Sequence, residues 1–266
     1  MMADDKNKLL CDINNQKGIY KLLAIMQSLR APDGGCPWDL KQNYQSILPY
    51  TIEEVYEVAE AIESGDFDSL KEELGDLLFQ VVFYAQLGKE DGLFDFDRIV
   101  ENINEKLISR HPHVFSSQND LSDSEIKNAW EELKVEERKS KGKSGTLDDI
   151  PKALPELKRA QKIQKRVAKI GFDWEHVNQV WDKIFEECDE VKTAETDAQQ
   201  EEELGDLLFA VVNLTRHYGF DAEIALRKAN QKFSNRFNKL ESKAEKQLHE
   251  YSLEELEVMW QGVKRS

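Results

Sequence analysis

The sequence predicts an all-α fold, built as two tandem helical-bundle modules related by internal duplication. Apolar residues recur at the 3/4 spacing of amphipathic helices, as at Leu204, Leu207 and Leu208, and no convincing run of alternating β-branched residues occurs. The string EELGDLLF stands at 72–79 and again at 202–209, an identity too long to arise by chance. We expect about four or five helices in each half.

The duplication extends well beyond this string. The motif EExxE precedes each copy, at 53–57 and at 186–190, and a tryptophan follows a glycine-containing turn in each half, at Trp38 and Trp174. Each half closes with a Ser-x-x-Glu capping box, a tryptophan and a lysine at matching intervals. These are Ser122, Glu125, Trp130 and Lys134 in the first half, and Ser252, Glu255, Trp260 and Lys264 in the second.

A linker is predicted between the two copies at 137–150. Its sequence, ERKSKGKSGTLDDI, carries Gly, Ser and Lys without apolar periodicity. This places an N-terminal domain at 1–136 and a C-terminal domain at 151–266, in keeping with roughly 100–200 residues per domain.

Capping residues predict where the helices with the repeated string begin. In the first half, Asp68 or Ser69 is the expected N-cap, with Ser69 and Glu72 as a capping box. In the second half, the expected N-cap is Thr196 or Asp197.

Each of these helices also carries an interior glycine, Gly75 or Gly205, at a cost of about 1 kcal/mol relative to alanine. Close approach of a neighbouring helix is the expected reason, and access for a ligand is the alternative.

Composition and charge exclude several classes of function. The formal net charge is −16, which argues against binding of nucleic-acid polymers. Cys11, Cys36 and Cys188 fit neither a disulfide framework nor a zinc site, so a reducing, cytoplasmic setting is expected. No apolar run has the length of a membrane span, and the charged N-terminus is unlike a signal peptide, so no membrane association is expected.

Acidic residues are placed where two helices can combine them. Glu187 and Glu190 share a helix face, as do Glu203 and Asp206. If the two helices pack antiparallel, four carboxylates enter one groove, which suits Mg²⁺. Asp206 stands among leucines, so it is expected to border the buried face and to need compensation there. The other interpretation is an ordinary exposed acidic surface. The first half repeats the set as Glu54, Glu57, Glu73 and Asp76.

Two pairs of residues could contact a phosphorylated ligand. Lys232 and Arg236 share a face and could hold phosphate oxygens, although a solvated face is the better explanation of the pair taken alone. Trp260 and Lys264 could stack on a base and meet a phosphate, although Trp260 could instead be a core residue. The histidines of His111-Pro-His113 lack helical ligand spacing, so a structural role is expected, with the preceding helix ending there.

These motifs resemble the MazG family of nucleoside triphosphate pyrophosphohydrolases. The resemblance rests on EExxE followed by ExxD after spacers of 15 and 12 residues, on GGCPWD at 34–39, on GFDW at 171–174 and on KFxxRF at 232–237, and it covers nearly the whole chain. It implies hydrolysis of an NTP or dNTP to a monophosphate and pyrophosphate with Mg²⁺, with Mn²⁺ as a substitute, by a homodimer of all-α modules.

Carried over motif by motif, the resemblance also implies a set of site residues. The metal ligands would be Glu187, Glu190, Glu203 and Asp206. The nucleotide site would be lined by Lys183, Glu186, Glu202, Lys232, Arg236 and Trp260, with Lys264 beside Trp260. Glu186 or Glu202 could accept the proton of the attacking water, and the sequence does not choose between them.

We expect the C-terminal half to be the main catalyst, in line with the family, and the N-terminal half to be regulatory, structural or weakly active. Lys183 lies on the face of the second acidic motif, whereas Tyr50 stands at its place in the first half. The second half also has a basic group at 158–169. Narrower alternatives are an all-α enzyme like dUTPase or phosphoribosyl-ATP hydrolase, and a non-catalytic module that senses nucleotides or binds a partner.

Overall fold

A computed structural model describes residues 13–115 and 145–264, with scattered positions between them at 122, 125, 126, 129, 130, 133, 135–137 and 142. Every regular element in these residues is helical, which confirms the predicted all-α class. The chain divides into two compact units, Met1–Glu131 and Glu132–Ser266. None of the described helices combines the length and apolarity needed to cross a bilayer.

The first unit is organised around a helical hairpin. Its helices are α1 (Gly18–Leu29), α2 (Tyr44–Ser64), α3 (Phe67–Glu90), α4 (Phe96–Arg110) and α5 (Pro112–Phe115). Helices α2 and α3 pack along their length and α1 covers α3. The core of this unit is an apolar cluster formed by Met26, Ile47, Val82, Phe83 and Leu87.

The second unit repeats the hairpin. Its helices are α6 (Glu156–Ala168), α7 (Val177–Thr193), α8 (Asp197–His217), α9 (Ala222–Ser242) and α10 (Leu253–Lys264). Helix α7 packs against α8, α6 covers α8, and α9 contacts α6 and α10. Its buried side chains include Val180, Ile184 and Val212 together with the polar Gln161, Gln164, Glu187 and Asn213.

The predicted N-cap is confirmed in the second hairpin and wrong in the first. Thr196 caps α8 by accepting a hydrogen bond from the backbone of Gln199. Helix α3 is capped by Asp66, whose Oδ1 accepts from the backbone nitrogens of Asp68 and Ser69 at 3.1 Å each. The helix therefore begins earlier than predicted, and Ser69 lies inside its first turn instead of forming a box with Glu72.

Several local predictions at the ends of the two halves are confirmed. Ser122 and Glu125 form a capping box, and so do Ser252 and Glu255. Helix α4 ends at Arg110, where the His-Pro-His segment begins. Lys134 and the linker positions 138–141, 143 and 144 lie outside the described residues.

Two predictions about the repeated helices are wrong. A Cβ added at Gly75 or Gly205 would meet no atom within 4 Å, so none of the described helices of the chain approaches these glycines closely. The apolar stripe on α8 does not face the core either, because Leu204 and Leu208 are exposed. The face that α8 buries is formed by Ala210, Val212 and Asn213. Periodicity identified the helix correctly, but the apolar face that it marks is open to solvent in the single chain.

Candidate functional site

The second hairpin brings three carboxylates together at one point. One oxygen from each of Glu187, Glu203 and Asp206 lies within 4.8 Å of the other two. Glu187 comes from α7 and the other two come from consecutive turns of α8, as the i, i+3 spacing predicts. We call these three residues the second acidic cluster. Their shared orientation creates a concentration of negative charge that favours a bound cation.

Glu190 lies beside this cluster and interacts with it. The pKa of Glu190 is raised, first by a hydrogen bond to Glu187, then by partial desolvation and by the negative charges of Glu187 and Glu203. A hydrogen bond between two carboxyl groups needs a shared proton, which explains the direction of the shift. Glu190 is therefore close enough to Glu187 and Glu203 to interact with both.

Lys183 is the cation of the second acidic cluster. Its Nζ lies 2.7 Å from Oε1 of Glu187 and 2.8 Å from Oε1 of Glu186. Hydrogen bonds to Glu186 and then Glu187 hold the pKa of Lys183 well above its ordinary value, so its ammonium group stays charged at physiological pH. This confirms that Lys183 lies on the motif face.

The buried acid of the cluster is Glu187, and the expectation that Asp206 borders the buried face is wrong. Glu187 is 3% exposed, whereas Asp206 is exposed along with Leu204 and Leu208. Oε1 of Glu187 accepts from Lys183, whereas no N–H group of the described residues donates to the buried Oε2. Such an oxygen is costly unless something binds it. A divalent cation that prefers oxygen ligands fits this donor set.

The first hairpin also brings three carboxylates together, but their negative charge is compensated differently. Glu54, Glu57 and Glu73 place one oxygen each within 4.8 Å of one another; we call them the first acidic cluster. The pKa of Glu54 is raised by burial and by the charges of Asp76 and Glu57, and that of Glu73 is raised similarly. Among the described residues, no lysine or arginine forms an ion pair with these acids.

Neutral side chains replace the lysine in this first hairpin. Nε2 of Gln80 lies 3.5 Å from Oε1 of Glu54. Tyr50, at the position of Lys183, packs edge-on against Trp38 with ring centroids 6.0 Å apart. The two acidic clusters share two equivalent positions, Glu54 with Glu187 and Glu73 with Glu203, and differ in their third acid and in the neighbouring cation.

The predicted phosphate- and base-contacting residues form a separate group on α9 and α10. Trp260 packs against Phe233 at a centroid distance of 5.0 Å, and Nζ of Lys264 lies 5.7 Å from the centre of the Trp260 ring. Lys232 is exposed and Arg236 is half-buried on the same helix as Phe233. No hydrogen bond or ion pair joins this group to the second acidic cluster.

The basic group on α6 is largely engaged in structural contacts. Lys158 forms an ion pair with Asp221 at the start of α9. Arg166 donates to the carbonyl oxygens of Thr146 and Asp148 at 3.3 Å each, and so fixes the segment before α6. These two cations stabilise the unit and do not contact the acids.

A duplicated helical hairpin that gathers carboxylates from two packed helices defines an all-α protein of the class whose bundles carry carboxylate sites between facing helices. The sequence profile of the MazG nucleotide pyrophosphohydrolase domain matches this chain twice, at residues 42–115 and 176–240. The chain belongs to the MazG family. Both matches include an acidic motif, so the duplication seen in the sequence is a duplication of this domain.

Relatives of high similarity support this assignment over most of the chain. The nucleoside triphosphate pyrophosphohydrolase of Escherichia coli K12 is 53% identical over 93% of this chain and 97% of its own length. The nucleoside triphosphate pyrophosphohydrolase/pyrophosphatase MazG of Thermotoga maritima is 45% identical over 92% of this chain and 94% of its own. Protein YabN of Bacillus subtilis is 42% identical over 91% of this chain, which spans 51% of that protein. The predicted enzyme class, a pyrophosphohydrolase, is confirmed.

Proposed function

We propose that this protein hydrolyses nucleoside and deoxynucleoside triphosphates to a monophosphate and pyrophosphate, mainly at the second acidic cluster. The observation that carries this proposal is the buried Glu187, which presents one oxygen to Lys183 and leaves the other without an N–H donor among the described residues. A triphosphate with its metal supplies what this arrangement lacks: a cation for the carboxylates and an anion for the lysine. The names of the relatives from Escherichia coli and Thermotoga maritima support the substrate class.

The metal of the proposed reaction is Mg²⁺, with Mn²⁺ as a substitute. Its ligands are Glu187, Glu190, Glu203 and Asp206, all of them oxygen donors of the kind that hard cations prefer. When bound, the ion neutralises phosphate oxygens and makes a coordinated water more acidic. The buried oxygen of Glu187 that receives no N–H group of the described residues is the feature that favours a resident cation over an ordinary acidic surface.

The chain's own side chains bind and orient the substrate. Lys183 is held at two points, so its ammonium group is preorganised for a phosphate oxygen and loses little freedom on binding. Glu186 fixes this lysine, and Glu202 is exposed on the neighbouring helix. We assign phosphate contacts to Lys232 and Arg236, and nucleotide contacts to Trp260 with Lys264.

The first unit serves a regulatory or structural role in this proposal. Its acidic cluster repeats the EExxE and ExxD motifs but lacks a lysine at the matching position, because Tyr50 stands there and Gln80 contacts Glu54 instead. Among the described residues, no fixed cation pairs with these acids to receive an incoming triphosphate. We therefore expect any hydrolysis by this unit to be weak.

We further propose that the protein is a homodimer. The exposed face of α8, formed by Leu204, Leu208 and Val211, is too apolar for a helix that stays in water. Gly205, open to solvent within this helix, allows close approach of a partner backbone. A two-fold axis would cover the same surface in both protomers. A cytoplasmic location is proposed as well, supported by the unpaired thiols of Cys36 and Cys188.

The direct test is pyrophosphate release by the purified chain from ATP, GTP, CTP, UTP and their deoxy forms. We expect release with Mg²⁺ and none with EDTA, and we expect more than one base to be accepted. Turnover of dUTP alone would favour the narrower dUTPase-like alternative. Absence of metal-dependent release from every nucleotide would contradict the proposed function.

A further inference from the structure

The first acidic cluster concentrates negative charge where α2 packs against α3. Glu54 and Glu57 lie on α2 and Glu73 lies on α3, and one oxygen of each lies within 4.8 Å of the other two. Asp76 adds to this charge, because its field raises the pKa of Glu54 further after partial desolvation of that carboxyl group. Carboxylates held this close repel one another, and a bound cation would relieve the repulsion.

A buried amide lies beside these acids. Gln80 on α3 is 6% exposed, and its Nε2 is 3.5 Å from Oε1 of Glu54, at the long end of the hydrogen-bond range. Oε1 of Gln80 is buried and has no hydrogen-bond partner among the described residues. A buried oxygen of this kind is costly. Half a turn about the last side-chain bond brings Oε1 to the side of Glu54, where a cation could bind it.

The second hairpin differs at both of the positions that distinguish this site. The repeat places Ala210 where α3 has Gln80, and Lys183 where α2 has Tyr50. Nζ of Lys183 lies 2.7 Å from Oε1 of Glu187, so the second hairpin supplies a cation of its own. The first hairpin lacks this ammonium group and adds a neutral oxygen donor. Both differences favour a metal ion as the cation of the first hairpin.

The donor set selects the kind of ion. The cluster contains carboxylate oxygens without histidine or cysteine, and the amide of Gln80 adds one more oxygen. Such a set suits hard divalent cations, namely Mg²⁺, Ca²⁺ and Mn²⁺, and not the softer metals that prefer nitrogen or sulfur. Glu57 is exposed, whereas Glu54 and Glu73 are half-buried, so water can complete the coordination shell from the side of Glu57.

We propose that the first unit binds a divalent cation through Glu54, Glu57, Glu73 and the amide oxygen of Gln80, and that this ion is structural. It joins α2 to α3 at the level of the acids and offsets their repulsion. The site requires no triphosphate, so the inference is independent of hydrolysis at the second acidic cluster. The stability of the first unit therefore rises with the concentration of free divalent cation.

The test counts Mn²⁺ bound to the full chain by electron paramagnetic resonance in the absence of nucleotide. Every variant also carries Glu187→Gln, which removes the buried carboxylate of the second acidic cluster. We expect the Glu187→Gln chain to retain Mn²⁺ in its first unit. Adding Glu57→Gln should weaken this binding by about 100-fold, and adding Gln80→Met should weaken it by about tenfold. Gln80→Glu, which supplies an anionic oxygen at the same place, should bind more tightly than Gln80→Met.

Glu60→Gln is the matched control, because Glu60 is an exposed acid of α2 outside the cluster. It removes the same charge as Glu57→Gln and should leave the affinity for Mn²⁺ within about twofold. Thermal unfolding provides a second measurement. Mg²⁺ or Ca²⁺ should raise Tm relative to EDTA, the ion with the larger shift being the preferred one, and Glu57→Gln should abolish the shift.

Two results would overturn the site. One is a Glu187→Gln chain that binds no Mn²⁺, and the other is Mn²⁺ binding that neither Glu57→Gln nor Gln80→Met weakens. Both measurements are made without nucleotide, so neither result bears on pyrophosphate release by the wild-type protein. Failure of the cation site and failure of the proposed function are therefore distinguishable.

Discussion

Nζ of Lys183 lies 2.7 Å from Oε1 of Glu187, so a half-exposed cation and a buried anion, one turn apart on one helix, form an ion pair. The first unit lacks this ion pair, because Tyr50 stands at the position of Lys183. The pair makes the second acidic cluster the better candidate for triphosphate chemistry, and it leads directly to a test.

Lys183→Met should reduce pyrophosphate release by about 10²-fold, the usual effect of removing one preorganised charged group from a site. Steady-state release from ATP measures it. Lys192→Met is the control, since Lys192 lies on the same helix and pairs with the exposed Asp189 at 2.9 Å. Equal losses in the two variants would show that helix charge, and not the site, explains the effect.

The two acidic clusters can be compared by equivalent substitutions. Glu187→Gln should abolish most activity, because it removes charge from the buried carboxylate, whereas Glu54→Gln should change kcat by about twofold or less. Pyrophosphate release and binding of Mn²⁺ should both be measured. If Glu54→Gln alone abolished release, the assignment of catalysis to the second half would be wrong.

The first unit should contain an acid-sensitive ion pair. Arg30, a buried side chain, contacts Glu90 at 2.6 Å, and this hydrogen bond holds the pKa of Glu90 below its ordinary value of 4.5. Because folding favours the ionised carboxylate of Glu90, the ion pair stabilises the fold above about pH 4.5. This stabilisation is lost as pH falls through the folded-state pKa of Glu90. We expect Glu90→Gln to cost about 1–3 kcal/mol at neutral pH, because the guanidinium is left without its anion.

Thermal unfolding of wild type and Glu90→Gln between pH 7 and pH 3 measures this effect. The difference between the two proteins should shrink toward the acidic end. Glu101→Gln serves as the control, because Glu101 pairs with Arg98 at 2.6 Å on an exposed helix surface, where little stabilisation is expected. A pH-independent difference for Glu90→Gln would contradict the electrostatic explanation.

The proposed dimer gives a further prediction. Leu208→Glu places a charge on the exposed apolar face of α8 and should convert the dimer to monomer, as measured by light scattering after size exclusion. Leu253→Glu, at another exposed leucine near the start of α10, should leave the mass unchanged. A wild-type protein that is monomeric at micromolar concentration would refute the dimer itself.

Local patterns allowed much of the site to be predicted. The i, i+3 spacing of Glu203 and Asp206 fixes their common face in any α-helix, and the shared face of Lys183 and Glu186 follows from the same geometry. These relationships depend on a single helix, so the sequence alone suffices. The internal repeat then predicts the second hairpin from the first.

Features that depend on packing between helices were not predictable in this way. Burial of Glu187 instead of Asp206 is decided by which faces of the hairpin contact each other. The burial of Gln80 beside the first acidic cluster depends on how α2 packs against α3, and this residue has no sequence pattern that distinguishes it from an ordinary polar residue. The exposure of Leu208 was not predictable for a related reason. An apolar helix face that packs into the interior and one that is left exposed for a partner have the same composition.

The size of the buried side chains implies an unequal resistance to local unfolding in the two units. The first unit fully buries Phe83, Met26 and Ile47, whereas the largest side chains fully buried in the second are Val180 and Val212. Backbone amides of α8 should therefore exchange with deuterium sooner than those of α3. We therefore expect the half to which we assign the chemistry to open more readily, and nucleotide binding to slow its exchange toward that of α3.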